Sequence, residues 1–137
     1  MYLLDTDTVI YSLKGEPAVE KNLRNHFHDP MKMSVITLME LYYGAHKSRK
    51  IASNLAKIKT LELSFEIIPM SEGSAEIFGM TKARLEKAGL PLDDFDLIIA
   101  SSALSNNLVL VTNNVRHFQR IEGLKLTNWT EYPPKKP

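Results

Sequence analysis

Residues 1–16 read MYLLDTDTVIYSLKGE, and this opening stretch decides the fold. Its apolar run, Tyr2 to Leu4, stops abruptly at Asp5, which is typical of a short buried strand. The polar residues 6–8 favour the start of a helix, and Gly15 favours its end. A complete strand–helix unit is therefore predicted within these residues.

The same alternation of strand and helix continues along the chain. Further strands are predicted at residues 31–36, 66–70, 108–111 and 124–126. Helices are predicted after a Thr37 cap, over residues 51–58, from a Ser71 cap to Gly89, and from an Asp93 or Asp94 cap to about Ser105. This order predicts an α/β fold with a mainly parallel central sheet flanked by helices. We expect one domain over residues 1–132 and a C-terminal tail over residues 133–137.

Composition narrows the class of protein. The 137 residues are 44% hydrophobic and 24% charged, as in an ordinary globular domain. The absence of cysteine excludes disulfide frameworks, thiolate zinc sites and thiol nucleophiles, and the net charge of +1 does not by itself indicate nucleic-acid binding. The N-terminus has no basic signal region, and no stretch approaches the roughly 18 apolar residues of a membrane span. A cytoplasmic protein without a membrane partner is expected.

Two carboxylates occupy positions that favour a functional role. Asp5 follows a predicted strand, at the edge where open α/β sheets bind their ligands. Capping of the helix is the alternative, although residues 6–8 are better placed for it. On a helix, Asp96 shares its face with apolar residues three, four and seven positions later, so it points toward the core edge. A carboxylate there needs a cation, strong donors or a raised pKa, unless it is simply a first-turn acid favoured by the helix dipole.

A third carboxylate, Glu40, has two interpretations. Thr37 and Glu40 have the spacing of a capping box, in which each side chain binds a backbone N–H group at a helix start. Its position after a predicted strand would also place Glu40 near Asp5 at the edge of the sheet. Three carboxylates from separate strand–helix junctions favour Mg²⁺ or Mn²⁺ over zinc, and such ions support phosphodiester cleavage.

Basic residues are unevenly distributed. A stretch without acids contains His46, Lys47, Arg49, Lys50, Lys57 and Lys59. A run of this kind is usually a solvated face, and contact with a phosphate backbone is the alternative. Arg116 follows Asn113 and Asn114 just beyond the predicted strand end at Thr112, where it could also reach a phosphate.

With these residues in place, the chain resembles PIN-domain ribonucleases, specifically the VapC toxins of type II toxin–antitoxin pairs. The likeness runs from the first residue to about Trp129. The stretches that carry it are LLDTDTVI (3–10), SVITLMELYYGA (34–45), FDLIIASSAL (95–104) and LVLVTNNVRHFQRIEGLKLTNW (108–129). Their order and spacing together are far more specific than any one of them. The resemblance implies a single PIN-like nuclease domain.

The resemblance also implies roles for individual residues. Asp5, Glu40 and Asp96 match the three acidic positions that hold metal in this family, and Thr6 matches the small hydroxyl residue after the first acid. Asp7 is either an extra carboxylate or an N-cap. Where many members have a fourth acid, this sequence has Asn113, Asn114 and His117, so Asn114 becomes a neutral candidate for orienting water or a ligand and Thr112 a supporting residue.

The implied activity is a Mg²⁺-dependent endoribonuclease, with Mn²⁺ as a substitute, in which a metal-bound water attacks the phosphodiester in line. Structured RNA, often tRNA, is the implied substrate, held by Lys47, Arg49, Lys50 and Arg116. The implied partners are a second copy of the chain and a VapB-like antitoxin.

Two alternatives remain open from the sequence. The missing fourth acid is compatible with a catalytically inactive PIN domain that only binds RNA or protein. Residues 5–8 also fit the DxDxT motif of haloacid-dehalogenase-like phosphatases. In that family, however, the later acidic motif follows the strand that ends in Ser or Thr, whereas Asp93 and Asp96 precede Thr112 here.

Overall fold

The computed structural model describes residues 1–137, and it contains one five-stranded sheet in which every pairing is parallel. The strands are β1 (Tyr2–Leu4), β2 (Met31–Ser34), β3 (Glu66–Ile68), β4 (Val109–Val111) and β5 (Leu126–Thr127). Their order across the sheet is β3-β2-β1-β4-β5. The opening strand is therefore central, and the carboxyl ends of β1, β2 and β4 lie side by side. The α/β fold class is confirmed.

Seven helices cover the sheet. They are α1 (Thr6–Leu13), α2 (Pro17–Asn25), α3 (Val35–Lys47), α4 (Ile51–Ser64), α5 (Glu72–Lys87), α6 (Asp94–Ser105) and α7 (Val115–Phe118). Gly15 ends the first helical segment with φ of 75°, a left-handed conformation that glycine adopts without strain. None of the helices combines the length and apolar composition needed to cross a membrane.

The core lies on both faces of the sheet. Because neighbouring side chains of a strand point to opposite faces, Leu3 joins one buried apolar cluster and Leu4 joins the other. The Leu3 cluster lies mainly under α5 and α6, and the Leu4 cluster lies under α1, α3 and α4. The only tryptophan, Trp129, is almost completely buried in the Leu4 cluster. Both faces are covered, and even the polar residues at the carboxyl ends of the central strands, Asp5, Ser34 and Thr112, are buried.

The structure corrects several expected helix starts. Ser34 caps α3, because its side chain accepts a hydrogen bond from the N–H of Ile36 at 3.1 Å. The capping box of Thr37 and Glu40 is therefore wrong, and β2 ends two residues earlier than predicted. Asp5 caps α1, so residues 6–8 lie within that helix and the N-cap interpretation of Asp7 is also wrong.

The α2 helix was not predicted from the sequence. It begins at Pro17, and its buried inner face contains Val19 together with the polar residue Asn22. Since one of its two buried positions is polar, the apolar period of a helix is weak here. The short α7 was also missed, and β5 lies slightly later than the predicted strand.

Asn22 connects α2 to the C-terminal segment. Its Nδ2 group donates to the carbonyl oxygens of Ala18, Trp129 and Glu131 at 2.9–3.0 Å, and the residue is completely buried. Thr127 makes a further contact with the predicted tail, because its hydroxyl donates to the carbonyl oxygen of Lys135 at 3.0 Å. The end of the chain is thus attached to the domain at several points.

We expect Asn22→Leu to lower the free energy of unfolding by about 2–3 kcal/mol, because it removes the donor shared by the three carbonyl groups, including the buried contact with Trp129. Urea denaturation followed by circular dichroism measures this loss. Asn25→Leu is the matched control, since Asn25 donates only to the exposed Tyr132 hydroxyl and should change stability by less than about 0.5 kcal/mol. Equal effects of the two changes would contradict the assigned role of Asn22.

Candidate active site

Asp5 lies at the carboxyl end of the central strand. Its backbone N–H still donates to the carbonyl of Val111, so the sheet pairing of β1 fixes its position. One carboxylate oxygen accepts from the N–H of Thr8 at 3.0 Å, and the other accepts from the hydroxyl of Thr112 at 2.5 Å. The residue is only 5% exposed. Asp5 is therefore both the cap of α1 and a buried carboxylate at the edge of the sheet.

Burial raises the pKa of Asp5 to about 6, although its hydrogen bonds with Thr112 and Thr8 act in the opposite direction. A carboxylate has about four acceptor positions, and these two donors use two of them. The remaining lone pairs are available to a cation. A nearby positive charge would also favour the ionised form that burial disfavours.

Glu40 is held by two threonines. The hydroxyl of Thr6 donates to its Oε1 at 2.7 Å, and the hydroxyl oxygens of Thr6 and Thr37 lie 3.0 Å apart. Thr6 is the donor in both contacts, and its single proton is shared between the Glu40 carboxylate and the more distant hydroxyl oxygen of Thr37. Burial raises the pKa of Glu40 above its ordinary value, and the hydrogen bond from Thr6 partly offsets this. The contacts that the sequence assigned to a helix cap thus connect α1 to α3.

Asp96 lies close enough to the other acidic residues for their charges to affect its pKa. It lies in the first turn of α6 and is half-buried. Burial is the largest cause that raises its pKa to about 6, followed by the negative charges of Asp93, Asp5, Glu40 and Asp7 in that order. The three predicted acids and Asp7 therefore surround one region. Repulsion of this kind favours a bound cation.

Asp93 has a second role besides the cap that the sequence predicts. Its side chain does accept from the N–H of Phe95 at 3.1 Å, so the capping role is correct. Its charge is nevertheless the strongest charge effect on Asp96, and it also raises the pKa of Glu40. The three-residue spacing between Asp93 and Asp96 on a helix start was the signal that could have indicated this, since the two lie on one side of the turn.

These acidic side chains fit a hard cation, because their ligand atoms are carboxylate oxygens. Burial and mutual repulsion disfavour the ionised form of the carboxylates, and a bound cation would favour it. No three of these side chains lie close enough together to form a ready-made metal-binding group. Asp5 and Glu40 are instead oriented by hydroxyl groups of threonines. The assignment of a metal site therefore depends on the carboxylate chemistry of these residues and on their position in the same part of the structure.

The supporting residues lie at two distances from the acids. Asn114 donates its backbone N–H to the Thr112 hydroxyl oxygen at 2.9 Å, and that hydroxyl in turn donates to Asp5. The side-chain amide of Asn114 remains available to a ligand. Arg116 is exposed on α7, which follows the same strand end. Lys47, at the end of α3, is seven residues beyond Glu40, or about 10 Å along the helix. Arg49 and Lys50 lie in the exposed connection that follows it.

We expect Thr37→Val to lower the rate constant of any reaction that uses Glu40 by about tenfold, because the buried Thr37 hydroxyl accepts from Thr6 and so helps to hold the hydroxyl that binds the Glu40 carboxylate. The Michaelis constant should change little. Thr37→Ser keeps the hydroxyl and should restore most of the rate. A fall of equal size in both variants would show that the residue acts through packing alone.

Comparison with known proteins identifies the family. The PIN domain family model matches residues 2–124. The chain belongs to the PIN domain family. This PIN domain is 36% identical over 129 residues to the tRNA(fMet)-specific endonuclease VapC of Shigella flexneri, with 94% of this chain and 98% of that protein covered. It is 39% identical over 128 residues to ribonuclease VapC2 of Haemophilus influenzae, with 93% and 97% covered.

Solved structures agree with this assignment. The crystal structure of VapBC2 from Rickettsia felis bound to a DNA fragment from their promoter contains a chain similar to this PIN domain, with a TM-score of 0.88 and 36% identity. The match covers 93% of this chain and 98% of that one. The family and the fold implied by the sequence are therefore confirmed. The phosphatase alternative does not hold, because the match to the PIN family runs through both Asp5 and Thr112.

Proposed function

We propose that this PIN domain is a toxin of the VapC type: a divalent-metal-dependent endoribonuclease that cleaves structured RNA, with tRNA as the substrate class. The observation that carries the proposal is the position of Asp5 and Glu40, both near enough to Asp96 for their charges to raise its pKa, at the carboxyl ends of the central strands. The names of the relatives in Shigella flexneri and Haemophilus influenzae support ribonuclease activity, and the first of them supports tRNA.

In the proposed reaction, Asp5, Glu40 and Asp96 would hold Mg²⁺ or Mn²⁺. When bound, the ion supplies polarisation of a phosphoryl oxygen, a water of lowered pKa and stabilisation of the leaving group. Residues of the chain hold the metal-binding carboxylates in position. Thr112 and Thr8 fix the two oxygens of Asp5, and Thr6 fixes one oxygen of Glu40.

The neighbouring polar residues bind the substrate in this proposal. The side-chain amide of Asn114 orients a water or a phosphate oxygen, since its backbone is already fixed on Thr112. Arg116 offers a positive charge at the same strand end and binds the RNA backbone. Lys47, Arg49 and Lys50 are exposed at and beyond the end of α3, where they contact phosphates farther along the RNA.

Two partners belong to the proposal. A VapB-like antitoxin is supported by the Rickettsia felis structure, whose chains form the VapBC2 pair. A second copy of the chain is supported by the exposed face of α3, where Met39 and Tyr43 are 54% and 67% exposed although both are large and apolar. Light scattering at micromolar concentration tests the dimer, and Tyr43→Glu should shift it toward the monomer.

The central experiment is cleavage of end-labelled total tRNA by the purified chain in Mg²⁺, in Mn²⁺ and in EDTA. We expect discrete products with either metal and none in EDTA. Asp5→Asn, checked for folding, should give none under any condition. Cleavage that persists in EDTA or in this variant would contradict the assigned site and point to a contaminating nuclease.

A further inference from the structure

A groove beside the acids is not used by the proposed reaction. It lies between α1, α3 and α4, has a volume of about 280 Å³, and begins at Glu40. Its wall is largely apolar and includes Ile10, Leu13 and Ile58. Its polar lining consists of Glu40, Lys14, Lys57 and Asn54. A mostly apolar cleft with a few convergent polar groups is the usual form of a ligand site.

The charges of the groove favour an anion at some distance from the acids. Lys14, at the end of α1, and Lys57, on α4, are both exposed and line the same space. Neither forms an ion pair within the chain, whereas Lys59, two residues beyond Lys57, is paired with Glu62. Two unpaired ammonium groups along a groove complement the negative charge of an RNA backbone that runs from the acidic residues into the groove.

Asn54 offers a directed acceptor in the same groove. Its Nδ2 group donates to the hydroxyl oxygen of Ser48 at 2.8 Å, and that hydroxyl donates to the carbonyl of Ala45 at 2.6 Å. This chain of hydrogen bonds fixes the amide, so Oδ1 is the atom that remains for a ligand. An acceptor beside an apolar wall suits the amino group of a base whose face lies on that wall.

From these contacts we infer that the groove is a subsite for one unpaired nucleotide that flanks the cleaved bond of an RNA substrate. Lys14 and Lys57 bind its phosphates, the apolar wall contacts its base, and Asn54 Oδ1 accepts from its amino group. This inference rests on the proposed ribonuclease function and adds a requirement to it, because the RNA must be single-stranded at the groove.

The test measures binding separately from cleavage. A short fluorescein-labelled single-stranded RNA of mixed sequence is titrated with the full chain in EDTA, where no metal-dependent cutting occurs. We expect Lys14→Ala with Lys57→Ala to weaken binding by about tenfold and to reduce the slope of log K against log salt by about 1.4, or 0.7 for each phosphate that the variant no longer neutralises. Lys87→Ala with Lys125→Ala is the matched control, because both lysines are exposed and neither lines the groove.

Asn54→Ala should leave the salt slope unchanged and should reduce the preference for bases that carry an amino group, measured with oligomers of adenosine against uridine. If the parent cuts tRNA but the lysine pair binds and cuts like the parent, the subsite is wrong and the ribonuclease proposal stands. If the parent does not cut tRNA but RNA binding still depends on both lysines, the result supports the nucleotide subsite and contradicts the proposed ribonuclease activity. If the lysine pair retains RNA binding and only loses neutralisation by a VapB-like antitoxin, the groove is a protein-docking surface and the inference is overturned.

Discussion

Asp96→Asn is expected to reduce RNA cleavage by about a thousandfold, near the upper end for the loss of one group that stabilises charge in a transition state. The amide has the shape of the carboxylate but lacks its charge, so the change should weaken the binding of a divalent ion at the proposed site and remove one of its three carboxylate ligands. Cleavage of end-labelled tRNA at a saturating concentration of Mg²⁺ measures the effect. Excess Mn²⁺ should recover only a small part of the rate.

The structure gives this experiment a demanding control. Asp94 lies in the same first turn of α6 and is exposed, but its carboxylate pairs with Lys82 at 2.9 Å on the surface. Asp94→Asn should therefore leave cleavage within about twofold of the parent, since surface ion pairs contribute little. If both changes reduce cleavage equally, the loss comes from the start of α6 and not from the site.

The two changes should also differ in their effect on folding. The negative charges of Asp93, Asp5 and Glu40 disfavour the ionised form of Asp96, so a neutral side chain removes repulsion in the fold. We expect the melting temperature of Asp96→Asn in EDTA to equal or exceed that of the parent. A large drop would mean that Asp96 is needed for folding, and the cleavage result would then say nothing of its chemistry.

Much of this site could be predicted from the sequence because each acid sits at a junction of two elements. A carboxylate that directly follows a three-residue apolar strand can lie only at the edge of the sheet, so Asp5 was identified from its neighbours alone. Asp96 was identified from the apolar residues on its own helix face. In both cases the local pattern carries the information about burial.

The remaining contacts depend on residues far apart in the chain. Thr6 and Glu40 are 34 positions apart, and Asp5 and Thr112 are 107 apart, so no local pattern contains either hydrogen bond. The capping box of Glu40 failed for a related reason. Ser34 is also a good cap, and only the length of the buried β2 decided which of the two begins α3. The groove with Lys14 and Lys57 likewise appears only when α1 and α4 are packed together.

The coupling between protons and metal gives the second large effect. The pKa of Asp5 is raised from 3.8 to about 6 by burial, and that of Asp96 is raised to about 6 by burial and by its acidic neighbours. Since the folded state binds these protons more tightly than the unfolded state does, protonation of both groups stabilises the fold. This contribution to the free energy of unfolding is fully present below about pH 4. That stability is lost as the pH rises through about 6. Asp5 alone accounts for about 3 kcal/mol between these limits, and the half-exposed Asp96 accounts for less because solvent screens it.

Without metal, the free energy of unfolding should therefore fall between about pH 4 and pH 7. Mg²⁺ should reverse this trend only at the upper end, because it binds the ionised carboxylates and competes with protons for them. At about one hundred times its dissociation constant it adds about 2.7 kcal/mol near pH 7.5, seen as a rise of several degrees in the melting temperature, and adds little near pH 5. Thermal unfolding with Mg²⁺ and with EDTA at both pH values measures the difference. Asp5→Asn should abolish the response to Mg²⁺, and an equal rise at both pH values, or in that variant, would place the ion elsewhere on the protein.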